Sequence, residues 1–264
     1  MKWFVGLALF LYLSSAFYLY ANQDSLIFLQ PAIVKENKQT YQSNEFTVDH
    51  NGVSLRGWLM KSNRPDAELI IYFGGNAEEV SRNLKDYHYL KNYSVLYVNY
   101  RGFGESEGAP SQETLFDDAL FIYDYMNKQY EIQNDKIIVM GRSLGSGVAS
   151  YVASQRSVKS VILVTPYDSI LEIAKKNYPV FPIDLMLNHP FNSISIAPKI
   201  KAPALVLMAE FDSIIPKENT VNLINAWGGE VKTLVIKKAR HNSVSHFPSY
   251  WSGIKAFLEQ GQKT

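Results

Sequence analysis

Cysteine is missing from all 264 residues of the chain. Its absence excludes disulfides, thiolate metal sites and a cysteine nucleophile. An excess of charge is missing too: 26 basic residues against 25 acidic ones leave a net charge of +1. There is no basic block, so nucleic acid is not an expected partner. No spacing of side chains suggests a metal site, and no cofactor is expected. Internal repeats and low-complexity tracts are lacking as well. Apolar residues are plentiful: they make up 47% of the chain, enough for a full core, and the length suits one large α/β domain.

The first apolar run is long. Residues 3 to 23 carry no charge, and about 20 apolar residues at a 1.5 Å rise cross a hydrocarbon core. Trp3, Tyr18 and Tyr20 lie near its ends, where aromatic rings favour the interface. A cleaved signal peptide is the rival reading, with Lys2, an apolar stretch and a cut after Ser14-Ser15-Ala16. A buried core helix would be amphipathic, whereas this one is apolar all round. The apolar stretch continues past Ala16, which favours an uncleaved anchor. We therefore expect an anchor over residues 1–25 and a single domain over 26–264. Lys2 precedes the span and Asp24 follows it. The positive-inside bias then puts the amino terminus in the cytoplasm and the domain outside, periplasmic or extracellular. Secretion after signal cleavage is the alternative.

The most informative feature is Gly141-Arg142-Ser143-Leu144-Gly145. It follows Lys136–Met140, which reads as a buried strand, and precedes Ser146–Ala153, small residues at helical spacing. Strand, G-x-S-x-G and helix together form a nucleophile elbow. The serine of such an elbow sits on a tight, strained turn, so the flanking positions must be glycine. The bland alternative is a glycine-rich turn that binds a phosphate or nothing.

A hydroxyl needs a base and an orienting acid to become a nucleophile. The apolar run Ala204–Met208 ends in Ala209-Glu210-Phe211-Asp212. The alternating run Val231–Ile236 leads into Lys237-Lys238-Ala239-Arg240-His241. Asp212 and His241 thus both follow strands, and the carboxyl ends of parallel strands share one edge where sites form. The order Ser143, Asp212, His241 is that of the alpha/beta hydrolases. Asp168 is a rival acid after the sixth strand, although its commoner role would be to cap the helix starting near Ile170. His246 rivals His241 but lies five residues further from the strand. His50 is expected to be exposed in a hairpin turn, and His88 and His189 to be surface or satisfied polar positions. Arg101 and Glu105 read as loop-bracing charges. Arg142 is open to two readings, contact with an acidic substrate or packing at the surface.

Strands are expected at 46–48, 53–59, 69–73, 93–98, 136–140, 158–164, 204–208 and 231–236. The first two form a hairpin around Asn51-Gly52. Ser111 reads as the cap of a helix carrying Leu115, Ala119 and Ile122. A further helix is expected at Val80, Leu84 and Tyr87. Alternating strands and helices predict an α/β fold: a mainly parallel sheet with helices on both faces and the antiparallel hairpin at one edge. No strand is expected between Thr165 and Pro203. That stretch is rich in proline and apolar residues, and is open to two readings: a small acyl-binding lid, or a short cap packed on the core.

Residues from about 26 to 260 resemble the alpha/beta-hydrolase superfamily. The resemblance rests on the three residues above and on Phe73-Gly74-Gly75-Asn76-Ala77, Asn99-Tyr100-Arg101-Gly102-Phe103-Gly104-Glu105-Ser106, Thr165-Pro166-Tyr167-Asp168-Ser169 and Phe211-Asp212-Ser213-Ile214-Ile215-Pro216. Within it, the chain is similar to membrane-anchored serine esterases, the serine aminopeptidase-like branch with depalmitoylase and lysophospholipase relatives. The resemblance implies an alpha/beta-hydrolase fold with a small cap at about 168–200. It also implies hydrolysis of carboxylic esters or thioesters through a Ser-His-Asp triad. The implied substrates are small-molecule or lipid acyl esters, with acylated protein among the candidates. Backbone N–H groups of Leu144 and Asn76 are the expected oxyanion donors. One departure is plain: the family usually carries His-Gly-Asn after the third strand, and here Gly74 holds the first of those positions. A serine peptidase and a catalytically silent binding module are the alternatives.

Overall fold

Asn51 and Gly52 turn the first corner as their residue types allow. In the computed structural model, which describes residues 2–260, they sit at φ 52° and 74°. These are the left-handed values a two-residue hairpin needs. The turn joins β1 (Glu45–His50) to β2 (Val53–Met60). Six more strands follow: β3 (Leu69–Phe73), β4 (Ser94–Val98), β5 (Ile137–Arg142), β6 (Ser160–Val164), β7 (Ala204–Ala209) and β8 (Val231–Ile236). They form one sheet in the order β1-β2-β4-β3-β5-β6-β7-β8. β2 pairs antiparallel with β1 and β4, and every later pairing is parallel. The expected mixed sheet with an antiparallel hairpin at one edge is therefore present.

The helices are α1 (Lys2–Ile27), α2 (Lys35–Thr40), α3 (Gln112–Gln129), α4 (Leu144–Gln155), α5 (Ile170–Asn177), α6 (Ile183–Met186), α7 (Ser193–Ile196), α8 (Lys217–Ala226) and α9 (Pro248–Gln260). Strand side chains alternate between the two faces of the sheet. Ile71 and Val139 meet Leu115 and Ile122 of α3 and Val148 and Val152 of α4. Ile70, Ile138 and Met140 meet Val80 and Leu84 on one side and Ile254 and Leu258 of α9 on the other. Each such side chain, fully buried, contributes about 1.5–3 kcal/mol. Ser111 caps α3 as expected, exchanging bonds with Thr114.

Some local expectations change. The segment Val80–Tyr89 winds as tighter 3₁₀ turns. Side chains claim its first amides: Asn99 Oδ1 accepts from Val80 N–H at 3.0 Å and Glu79 Oε1 from Ser81 N–H at 3.1 Å. His50 is not an exposed turn residue. Its Nδ1 lies 2.8 Å from Asp118 and its ring stacks on Phe121 at 4.1 Å. Arg101 and Glu105 do brace loops, through Asp118 and Lys38 respectively.

Between β6 and β7 there is no strand, as expected. α5, α6 and α7 form a cap whose Ile183 and Phe191 are buried, while Val180 and Leu185 stand 68% and 86% exposed. One side of the cap therefore belongs to the core, and the other offers apolar side chains outward. α1 runs along the cap. Its first half is exposed from Trp3 to Leu13, and its best 18-residue window has a mean hydropathy of 1.7. Tyr12 stacks on Phe181 at 5.2 Å. The Gln23 amide donates to Met186 O at 3.1 Å and accepts from Asn188 N–H at 2.6 Å. Residue 1 of the expected anchor and residues 261–264 of the expected domain lie outside the described residues.

Candidate active site

Pairing within the parallel sheet brings one set of strand ends together. Phe73 lies opposite Gly141, Arg142 opposite Val164, and Ala209 opposite Ile236. The loops after β3, β5, β7 and β8 therefore leave the sheet on one edge. β4 lies on one side of β3 and β5 on the other, so chain direction switches there and leaves a crevice.

Ser143 occupies the turn between β5 and α4 at φ 49°, ψ −118°. This is a strained conformation for a residue with a Cβ. Its backbone is held on both sides: its N–H donates to Val164 O at 2.9 Å, and its carbonyl accepts from Ser146 N–H at 2.8 Å. The flanking glycines are required by space. A Cβ at Gly141 would strike the Gly145 carbonyl, and one at Gly145 would strike the carbonyls of Phe73 and Gly74.

Three loops deliver the partners. His241 Nε2 lies 3.0 Å from Ser143 Oγ. His241 Nδ1 lies 2.8 Å and 3.0 Å from the two oxygens of Asp212. Asp212 Oδ1 also accepts from the Ile214 and Ile215 amides, each at 2.9 Å. An ionised carboxylate only accepts, so Nδ1 carries the proton and Nε2 is left to accept from the serine hydroxyl. The histidine is 4% exposed, which strengthens these contacts by excluding water.

The rival residues go elsewhere. Asp168 is buried, accepting from Asn219 at 2.7 Å, Asn222 at 3.1 Å and the Ser169 amide at 2.6 Å. The helix cap expected of it is supplied by Ser169, whose hydroxyl accepts from Glu172 N–H. His246 lines the cavity without joining the chain from Asp212 to Ser143. His189 is a satisfied polar position: its Nε2 lies 2.8 Å from Asp24 and its Nδ1 accepts from Gln112 N–H at 3.3 Å. His88 bonds the Lys85 carbonyl.

The loop after β3 holds the residue that sequence reasoning missed. Glu78 is buried. One of its oxygens takes the Tyr72 hydroxyl at 2.6 Å and the Asn83 amide; the other takes Gly75 N–H at 3.0 Å and Arg142 Nη1 at 2.8 Å. Arg142 continues to Asn242, beside the catalytic-candidate His241, at 2.9 Å. The surface-packing reading of Arg142 therefore does not hold: its partner is an internal carboxylate, although the residue also lines the cavity over Ser143. Burial is the largest single influence on Arg142 and lowers its pKa, but the Glu78 charge, Tyr72, Tyr250 and the Glu78 hydrogen bond together outweigh it and the net shift is upward. Burial, reinforced by Glu78, holds the Tyr72 phenol well above its usual range. This carboxylate braces the loop that has Gly74 where the family usually has histidine. The sequence signal was faint, because an acid just before a helical stretch reads as an ordinary first-turn residue.

A cavity of about 740 Å³ opens over Ser143, lined among others by Asn76, Leu144, His241, Leu26 and Ile27. Leu144 begins α4, so its N–H has no partner within the helix. The Asn76 carbonyl accepts from Leu29 N–H at 3.1 Å, which ties the β3 loop to the segment leaving α1. Both residues line the cavity, and the amino terminus of α4 adds positive potential at Leu144. Among the described residues no group of three His, Asp or Glu is arranged to hold a metal.

This is the alpha/beta-hydrolase fold. The family model for that fold matches residues 69–185. An uncharacterised protein of Mycobacterium tuberculosis, Rv2307c, is 29% identical over 196 residues, covering 73% of this chain and 69% of its own. Est1E from Butyrivibrio proteoclasticus, solved with ferulic acid bound, superposes with a TM-score of 0.69 at 19% identity, covering 83% of this chain and 100% of its own. The Pyrococcus furiosus esterase Pf2001 gives 0.66 at 20% identity, covering 83% and 90%.

Proposed function

We propose that this alpha/beta-hydrolase-fold chain is a serine hydrolase that cleaves carboxylic esters or thioesters near a membrane. The observation that carries the reading is the continuous contact Asp212–His241–Ser143, at 2.8 Å and 3.0 Å. Ser143 Oγ attacks the acyl carbon while His241 Nε2 takes its proton. Asp212 holds the imidazole tautomer and stabilises the imidazolium. The oxyanion accepts from the Leu144 and Asn76 amides. The leaving alcohol or thiol then takes the proton from His241. Water then attacks the acyl carbon and gives a proton to His241, which passes it to Ser143 Oγ as the bond between that oxygen and the acyl carbon breaks, releasing the acid and restoring Ser143.

α1 serves as the anchor over residues 1–25, with the hydrolase domain over 26–264 on the extracytoplasmic side and its cap at about 168–200 set against the membrane. Lys2 ahead of the uncharged stretch 3–23 supports that orientation. The similarity to membrane-anchored serine esterases fits this arrangement. A serine aminopeptidase, which needs a carboxylate for the substrate amine, would have to use Asp86, because Glu78 in the cavity wall is already committed to Arg142. Labelling by a fluorophosphonate probe, abolished in Ser143→Ala, tests the reading. Absence of labelling in the folded wild type would favour a silent binding module.

A further inference from the structure

The cavity over Ser143 does not end at the triad. A second, apolar groove of about 220 Å³ continues from it between α1 and the cap. Leu26, Ile27, Ile170 and Ile173 line both. No charged side chain lines the groove. Its buried polar group, the Gln23 amide, is already satisfied by Tyr20 O, Met186 O and Asn188 N–H. The other polar lining residues, Tyr20, Asn177 and Tyr178, are exposed to solvent, so the buried part of the groove is apolar and a polar group placed there would lack partners.

The groove has an outer mouth. A third opening, of about 460 Å³, lies between α1 and the cap beside Leu11, Ser15, Tyr18 and Phe181. Leu19 and Tyr178 line both this mouth and the groove. Its depth is set by helix length. The ten residues from Lys2 to Leu11 reach only about 15 Å, whereas a hydrocarbon core is about 30 Å thick. If α1 crosses a bilayer from Trp3, the stretch that meets Phe181 at Tyr12 is still within it. The exposed Val180 and Leu185 of the cap then face lipid rather than water.

We infer that the groove between α1 and the cap is the acyl-chain subsite, entered from the bilayer through the mouth at Tyr18 and Phe181 and leading to Ser143. α1 is thus a wall of the binding site as well as a tether, and the substrate class is an ester or thioester of a long-chain acyl group. The inference rests on the hydrolase reading above and on α1 lying in the membrane.

The test compares palmitoyl with butyryl thioesters on full-length protein in phosphatidylcholine nanodiscs. A chain entering from the bilayer is already in an apolar phase and does not gain the water-to-groove value of about fourfold per methylene, so the ratio reads access to the groove and fit within it. Ala174→Trp fills the groove away from the triad, and Leu19→Trp narrows it from the exposed helix, where folding is not at risk. Each is expected to lower the palmitoyl-to-butyryl ratio of kcat/KM at least tenfold. Partition of substrate into the disc is the same for every variant and cancels. Leu185→Trp, equally apolar but outside the groove, should keep the wild-type ratio. In Ser143→Ala protein, palmitate bearing a terminal diazirine should crosslink to Leu19, Tyr178 or Met186, and Ala174→Trp should remove those adducts. Ratios unmoved by both blocking variants, or adducts confined to the lipid-facing side of α1, overturn the subsite. A wild type that hydrolyses neither thioester and takes no fluorophosphonate overturns the hydrolase reading instead, while the crosslinks still report on the groove.

Discussion

Glu78→Gln is the most revealing single change. Four donors converge on the two oxygens of Glu78: the Tyr72 hydroxyl, the Asn83 amide, the Gly75 N–H and the Arg142 guanidinium. Glutamine is the same size but offers one oxygen and an NH₂ that is itself a donor. The best arrangement keeps the oxygen on Gly75 and Arg142 and turns the NH₂ toward Tyr72 and Asn83, which must reorient to accept, while Arg142 loses its charged partner either way. Unpaired buried donors cost about 1–3 kcal/mol each, and a buried cation without its partner about 3–5 kcal/mol. These penalties overlap at Arg142, so about 4 kcal/mol is expected. For a domain of this size that lowers the unfolding midpoint by roughly 8–16 °C. The same change loosens Gly75 and the neighbouring Asn76 amide, so kcat should fall about 100-fold, as when an oxyanion donor is misplaced. Circular dichroism melting and butyryl ester hydrolysis at a temperature where the variant is folded separate the two effects. The double variant Glu78→Gln with Arg142→Met removes the stranded cation. It should regain at least half of the lost stability while kcat stays low. A single variant with wild-type melting and turnover would refute the view that Glu78 braces this loop.

Ser143→Ala and His241→Ala should each lower esterase turnover by about 10⁴ to 10⁶, read with an activated short ester; retained turnover in the first would sink the mechanism. Asp212→Asn should lower kcat by about 10⁴ through the wrong tautomer. Asp168→Asn, which disturbs the bonds from Asn219, Asn222 and the Ser169 amide, should lower stability by about 1–3 kcal/mol and leave the folded enzyme active; the reverse ranking would move the acid to the β6 loop. Tyr72 and Tyr250 have phenols raised by burial, so the folded state holds those protons more tightly than the unfolded chain. Their contribution is therefore complete below about pH 10 and is lost as pH rises beyond it; melting midpoints that climb between pH 10 and 11 would contradict the burial. Full-length protein should stay in the membrane fraction through a high-salt wash, because burial of an apolar helix is not screened. A form beginning at Ser25 keeps the Leu29–Asn76 bond but loses Gln23 and Asp24. It should hydrolyse short esters in solution and lose the long-chain preference, as measured by its chain-length profile.

Short-range signals in the sequence sufficed for the elements. Apolar runs of strand length, Asn51-Gly52 at the hairpin and Ser111 before an apolar helical face each act over a few residues, so local pattern determines them. The elbow was legible for the same reason: Gly141 and Gly145 are needed by clashes within one turn. Ser143, Asp212 and His241 were legible because parallel strands must end on one edge, which makes chain order a guide to position. Contacts between distant segments were not. Glu78 meets Arg142 across 64 positions, and neither residue sits in a periodic pattern that would pair them. His50 looked like a turn residue because Asp118 and Phe121 arrive only when α3 docks against the hairpin. The role of α1 shows the division most clearly. Composition alone marks it as long and apolar enough to cross a bilayer. That its last turns wall the cavity over Ser143, and that Gln23 is buried against the cap, depends on packing between residues more than 160 apart. Such a contact is chosen by the folded surface available to it, and no local pattern records it.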